Sequence, residues 1–208
     1  MSEVERHPFE PFLPVGCKML MLGSFPPAPK RWCMEFYYPN FTNDMWRILG
    51  YIFFKDKDYF VDKARKTFRL EQLKFFLEHV GIGLYDTASA VIRTTGTAAD
   101  KDLEVVEPTD VAGLLRRVPS CQALVTTGQL ATDVLTSRFH LARQPQVGSY
   151  VPFVFEEDGR EMRLYRMPSS SRAYPMKVER KSDIYEKMFK EVIGGTENFN
   201  DLSTYLLE

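Results

Sequence analysis

Cysteine is scarce in this 208-residue chain: Cys17, Cys33 and Cys121 are odd in number, far apart and form no CxxC pair. That excludes a disulfide framework and a four-thiolate iron–sulfur site, and implies reduced thiols, mostly buried. Histidine is as scarce: His7, His79 and His140 are scattered without metal-ligand spacing, so neither a metal nor another cofactor is expected. His79 falls near the end of an apolar helix, where a cap or core role suits it. No apolar run approaches the roughly 18 residues of a membrane-crossing helix. The opening Ser2-Glu3-Val4-Glu5-Arg6 lacks the basic start and apolar stretch of a secretory signal. A cytoplasmic protein with no membrane partner is expected.

An excess of one charge is also missing overall, with a formal net charge of −1. The distribution is uneven. Residues 160–190 carry nine Lys/Arg against four Asp/Glu, whereas residues 191–208 carry four acids and no base. Local basicity around one mouth is enough to grip a few phosphates, and a solvated helix face would give the same run. Hydrophobic residues at 44% and charged residues at 26% describe a globular chain. Its length suits a single domain over residues 1–208, with a core of about residues 8–193 and a tail at 194–208.

Punctuation and periodicity divide the chain. Residues 1–16 form an irregular lead-in. Lys18–Phe25 is an apolar strand stopped by Gly23 and two prolines. Asn43–Phe54 has helical spacing, capped by Thr42 or Asn43. A helical piece over Asp58–Arg65 precedes an amphipathic helix at Leu70–Val80. Gly81–Asp86 is a second strand. Residues 87–108 form a long polar connection, of a length that is usually functional. A helix follows at Asp110–Arg117, then a third strand at Ala123–Gly128 and a helix to Arg138. Val151–Phe155 and Arg163–Arg166 give a hairpin or a fourth strand, and Glu179–Val192 a closing helix. Strands alternating with helices predict an α/β fold: a three-layer α/β/α sandwich with a mainly parallel sheet of about four strands and right-handed crossovers.

Four places could carry chemistry. Gly23-Ser24-Phe25-Pro26-Pro27 lets a ligand approach the backbone at a strand end, although Gly and Pro also punctuate ordinary loops. The aromatics Phe36, Tyr37, Tyr38 and Trp46 could stack on a base or simply fill a core. Among them Asn43 could orient a water or cap a helix. Asp86 at the second strand end could accept a ring N–H or cap the next segment. The turn Met167-Pro168-Ser169-Ser170-Ser171-Arg172 offers hydroxyls and amides to phosphate, with charge from Arg172, Lys177, Arg180 and Lys181.

The order of these parts resembles the uracil-DNA glycosylase superfamily, most closely its hypoxanthine-DNA glycosylase (family 6) branch. The similarity lies in Gly23-Ser24-Phe25-Pro26, in Tyr37-Tyr38 with Asn43 and Trp46, and in Gly81-Ile82-Gly83-Leu84-Tyr85-Asp86 with Arg93, Gly96 and Asp100 downstream. The Pro168-Ser169-Ser170-Ser171 turn completes it, so that residues 8–190 match in order. The resemblance implies a monomeric, cofactor-free, monofunctional glycosylase. It would flip a deaminated base, uracil or hypoxanthine, out of DNA and hydrolyse its glycosidic bond in base excision repair. It further implies Asn43 as the catalytic residue. Gly23, Ser24, Phe25, Tyr37, Tyr38 and Asp86 would bind the base; Ser169, Ser170, Ser171, Arg172 and Lys177 would bind DNA phosphates. Phe25 stands where many members place a water-activating Asp or Asn, and Met167 where several place His or Asn. Leaving-group help would then fall to backbone amides near Ser24 or Phe25. Ser171 stands at a wedge position that Arg172 or Tyr174 could fill. The alternatives are a non-catalytic nucleic-acid or nucleotide-binding module, or a hydrolase of free nucleosides with a closed pocket and no basic rim.

Overall fold

The computed structural model describes residues 3–94 and 102–194. Gly96, Asp100 and the tail beyond Gly194 lie outside the described residues. The central sheet is built from strands β2 (Met19–Gly23), β5 (Ile82–Asp86), β8 (Ala123–Thr126), β9 (Ser149–Phe155) and β10 (Arg160–Arg166), in the order β5-β2-β8-β10-β9. All neighbours pair in parallel except β9, which returns antiparallel on β10. The sheet thus has five strands rather than about four, because the β9–β10 segment is a hairpin that adds an edge. Pro152 sits on that edge strand, where a missing N–H is tolerated.

Side-chain alternation along β2 assigns the layers. Met19 and Met21 face a core with helices α1 (Met45–Phe54), α2 (Leu70–Val80) and α5 (Val178–Ile193). Leu20 and Leu22 face the opposite core, with α3 (Val111–Arg117) and α4 (Gln129–Arg138). Both faces of the parallel strands are therefore buried, as their continuous apolar runs require. Gly81 ends α2 in a left-handed conformation (φ 81°) and turns the chain directly into β5.

Two expected segments take other forms. The lead-in contains β1 (Val4–Arg6), and the connection at 87–108 contains β6 (Ala88–Arg93) and β7 (Leu103–Pro108); these make a second, antiparallel sheet in the order β1-β6-β7. Small and charged residues hide its alternation. Asp58–Arg65 is not helical. It forms turns and a two-residue ladder between β3 (Val61–Asp62) and β4 (Thr67–Phe68), with the Asp58 carboxylate 2.7 Å from Lys63.

Helices α1 and α5 are joined by a buried charge pair. Lys181 Nζ, 0% exposed, lies 3.0 Å from Asp44 Oδ2, 1% exposed, and donates also to the Ser171 carbonyl at 2.8 Å. Removing one member of such a pair strands the other charge in an apolar interior. Asp44→Ala is expected to cost about 3–5 kcal/mol in denaturant unfolding, with part of the loss recovered in the double variant Asp44→Ala/Lys181→Met.

Candidate active site

Strand order places a crevice at the carboxyl ends of β2 and β8. The chain leaves β2 through α1 and α2 on one face and leaves β8 through α4 on the other. Their connections diverge there, at the position where open α/β sheets bind ligands. A cleft of about 700 Å³ occupies it. All four parallel strands contribute: Gly23–Pro27 after β2, Asp86 at the end of β5, Thr127 and Gly128 after β8, and Ser169–Pro175 after β10.

The floor depends on one close approach. A Cβ at Gly23 would stand 2.5 Å from Asp86 Oδ1, so only glycine admits that carboxylate beside β2. The other oxygen, Oδ2, lies 2.9 Å from His7 Nε2. Behind the floor, Arg93 holds Glu5 through Nε and Nη2, both at 3.0 Å, and donates to the Pro26 carbonyl at 3.0 Å. The Arg93 matched in sequence is thus a brace between the second sheet and the Gly23–Pro27 turn. Trp32 Nε1 donates to the Pro27 carbonyl at 2.6 Å and holds the same turn from its far side. The backbone N–H of Phe25 makes no hydrogen bond to another described residue.

The wall is aromatic. Tyr37 is buried with its hydroxyl donating to the Glu10 carbonyl at 2.8 Å, and Tyr38, at φ 48°, places its hydroxyl 3.3 Å from Thr127 Oγ1. Burial pushes both phenol pKa values up, with the Asp86 charge adding to the effect, so both stay protonated. Phe36 and Trp46 do not reach the cleft; they stack on each other in the core. Met167 is buried in that core too.

Asn43 lies on the cleft wall just before α1. Its Oδ1 accepts from Met45 N–H at 2.9 Å, and its backbone N–H donates to the Asn40 carbonyl at 2.8 Å. The N-cap residue of α1 is thus Asp44 rather than Thr42 or Asn43. The Asn43 carboxamide, one residue earlier, takes the first helical N–H, and that bond sets its orientation. A carbonyl oxygen keeps a second lone pair for a water, and among the described residues Nδ2 makes no hydrogen bond.

The closing turn forms the outer wall. Ser169 Oγ accepts from Ser171 N–H and Ser171 Oγ from Ala173 N–H, each at 3.2 Å, while the Ser170 carbonyl accepts from Asp44 N–H at 2.8 Å. Arg172, 61% exposed, is held at its base by Asp44 Oδ1, 3.0 Å from Nε. Arg31, exposed, from the short 3-10 turn Pro29–Arg31, also lines the cleft. Lys177 is not in this cleft. It lines an adjoining groove of about 510 Å³ with Arg47, Lys57 and Arg172. Burial, then the nearby Arg172 charge, lowers the Arg47 pKa there. Among the described residues no group of three or more His, Cys, Asp or Glu could hold a metal ion, and no helix is long and apolar enough to cross a membrane.

Eleven of the twelve residues to which the resemblance gave a role thus converge on one cleft, and Lys177 stands beside it. Sequence reasoning missed His7, Asp44, Arg31, Thr127 and Gly128. Thr127-Gly128 ends an apolar strand as Gly23 does, so the same rule could have found it; nothing local marks His7 or Arg31.

No protein-family model matches the sequence, and no curated protein matches it either. Among solved structures, the chain is similar to a solution NMR structure from Methanosarcina acetivorans described as a "putative Uracil DNA glycosylase". The identity is 23% and the TM-score 0.62, over 91% of this chain and 99% of that one. This likeness establishes the fold. The cleft of this chain then has to be read from its own residues.

The Gly23 contact gives a direct test. Gly23→Ala is expected to displace the Asp86 carboxylate and cost about 1–3 kcal/mol of stability. Thermal unfolding together with a change in Asp86 side-chain NMR shifts would show it; an unperturbed Asp86 signal would contradict the close approach.

Proposed function

We propose that this chain is a monofunctional DNA glycosylase, hydrolysing the glycosidic bond of uracil or hypoxanthine flipped from DNA in base excision repair. One observation carries the reading. A water-orienting carboxamide, an acceptor-only carboxylate and a serine-arginine turn meet in a cleft whose rim bears exposed arginines. A free-nucleoside hydrolase has no use for exposed arginines such as Arg172 and Arg31 at the mouth of the cleft, whereas a DNA strand carries phosphates past such a rim.

The chemistry follows from the cleft residues. The base, freed from its stack, enters between Tyr37, Tyr38 and Phe25. Asp86 Oδ1 accepts the ring N–H, N3–H of uracil or N1–H of hypoxanthine, and repels the bare ring nitrogens of cytosine and adenine. As the C1′–N bond breaks, its electron pair goes to the base, where the Phe25 N–H is available to the developing negative charge. Asn43 Oδ1 holds a water that adds to C1′ of the oxocarbenium-like sugar; the proton it loses passes through solvent and neutralises the departed base anion. Neither step needs a lysine nucleophile. Met167, in the core, contributes nothing to the departing base.

Asn43→Ala is expected to lower single-turnover base release about a hundredfold or more while oligonucleotide binding stays near wild type. Unchanged release would remove Asn43 from the mechanism. Arg172→Ala is expected to weaken binding to all sequences alike and to reduce the salt slope by about one. A slope that did not move would place Arg172 off the phosphates. The bond from Met45 N–H that the Asn43 carboxamide already accepts favours a second reading, a binding module without turnover. Wild-type protein that binds uracil- and hypoxanthine-containing strands but releases neither base would establish it.

A further inference from the structure

Among the described residues Asp86 is the one carboxylate lining the cleft, and its two oxygens do different things. A carboxylate rotates broadly about its last torsion, so an unrestrained one would present either oxygen, or neither, to a ligand. Here Oδ1 lies over Gly23 at the cleft, and Oδ2 is occupied 2.9 Å away by His7 Nε2. We propose that His7 is the positioning residue for Asp86, and that the pair selects bases offering a ring N–H beside a carbonyl. This inference rests on the base-binding part of the glycosylase reading, not on its hydrolytic step.

The surroundings of His7 suit that task. It follows β1, with its backbone N–H donating to the Ser89 carbonyl at 2.8 Å, so the second sheet fixes its position. Its side chain is 2% exposed and absent from the cleft lining, so it acts on a base only through Asp86. Nδ1 lies 2.9 Å from the Phe9 carbonyl and 3.2 Å from the Phe9 N–H. The tautomer in which Nδ1 accepts from the Phe9 N–H carries its proton on Nε2, facing Asp86 Oδ2. The rings of Phe25 and Tyr85, with centroids 5.4 Å and 4.5 Å from the imidazole, prevent it from swinging away. With Oδ2 held by one fixed donor, Oδ1 is left at the cleft as an acceptor for a ligand N–H. Lactam bases supply that hydrogen. Adenine and cytosine present a lone pair instead.

The test uses the full chain and free hypoxanthine and adenine, with affinities from NMR titration and folding checked by thermal unfolding. His7→Phe keeps a ring in the aromatic box and removes the donor; it is expected to lose about tenfold in hypoxanthine affinity with adenine unaffected. His7→Gln, whose amide reaches the same carboxylate, is expected to keep the wild-type preference. Should His7→Phe not fold, His7→Asn, with a donor too short to reach, is expected to show the same loss. Folded His7→Phe or His7→Asn with the wild-type preference would overturn the assignment. So would wild-type protein that binds neither base. Base release is measured separately on oligonucleotides: if it is absent while free-base binding follows the expected pattern, the hydrolytic reading fails and the His7 assignment stands.

Discussion

The site depends on a carboxylate that never reaches solvent. Asp44 sits at the entry to α1 and pairs there with Lys181 of α5 and with Arg172 of the closing turn, while its backbone N–H holds the Ser170 carbonyl. Two charges taken out of water are tolerated only in well-made contacts, so this pair allows little displacement. One node therefore fixes the relative position of segments far apart in the chain. Asn43 is the residue immediately before it, and the Asn43 carboxamide is oriented by the next N–H but one. The orientation of the Asn43 carboxamide and the position of the Ser169–Arg172 turn are thereby set by the same contact.

The opposite wall obeys a constraint of space rather than charge. Gly23 leaves room for the Asp86 carboxylate, the second sheet brings His7 behind it, and Arg93 ties that sheet to the turn after β2. The added antiparallel sheet is thus part of how the cleft keeps its shape. It holds the Gly23–Pro27 turn and the Asp86 carboxylate in fixed relation.

Much of the architecture was legible because it follows from burial and punctuation. Strands β2, β5 and β8 are apolar runs bounded by glycine or polar turns, and α2 has a clean amphipathic period ended by Gly81. The second sheet was not legible. Its strands mix alanine, serine, glutamate and valine, with no apolar face strong enough to stand out. The Asp58–Arg65 segment carries helix-favouring residues, yet short-range polar contacts hold it in turns.

The site divides the same way. The chain by itself determined which chemical groups stand at the strand ends, because a glycine-proline turn, an aspartate and a serine turn each interrupt an apolar run. Local sequence carries that information whole. Only the tertiary structure decided what each group does. Phe36 and Trp46 went to the core while Tyr37 and Tyr38 went to the cleft, Lys177 went to the neighbouring groove, and Arg93 became a brace. His7 and Asp44, unremarkable in sequence, became the supports of the site. The reason is physical: a side chain's role depends on partners that strand order brings from elsewhere in the chain, such as Asp86 beside His7 and Arg172 beside Asp44.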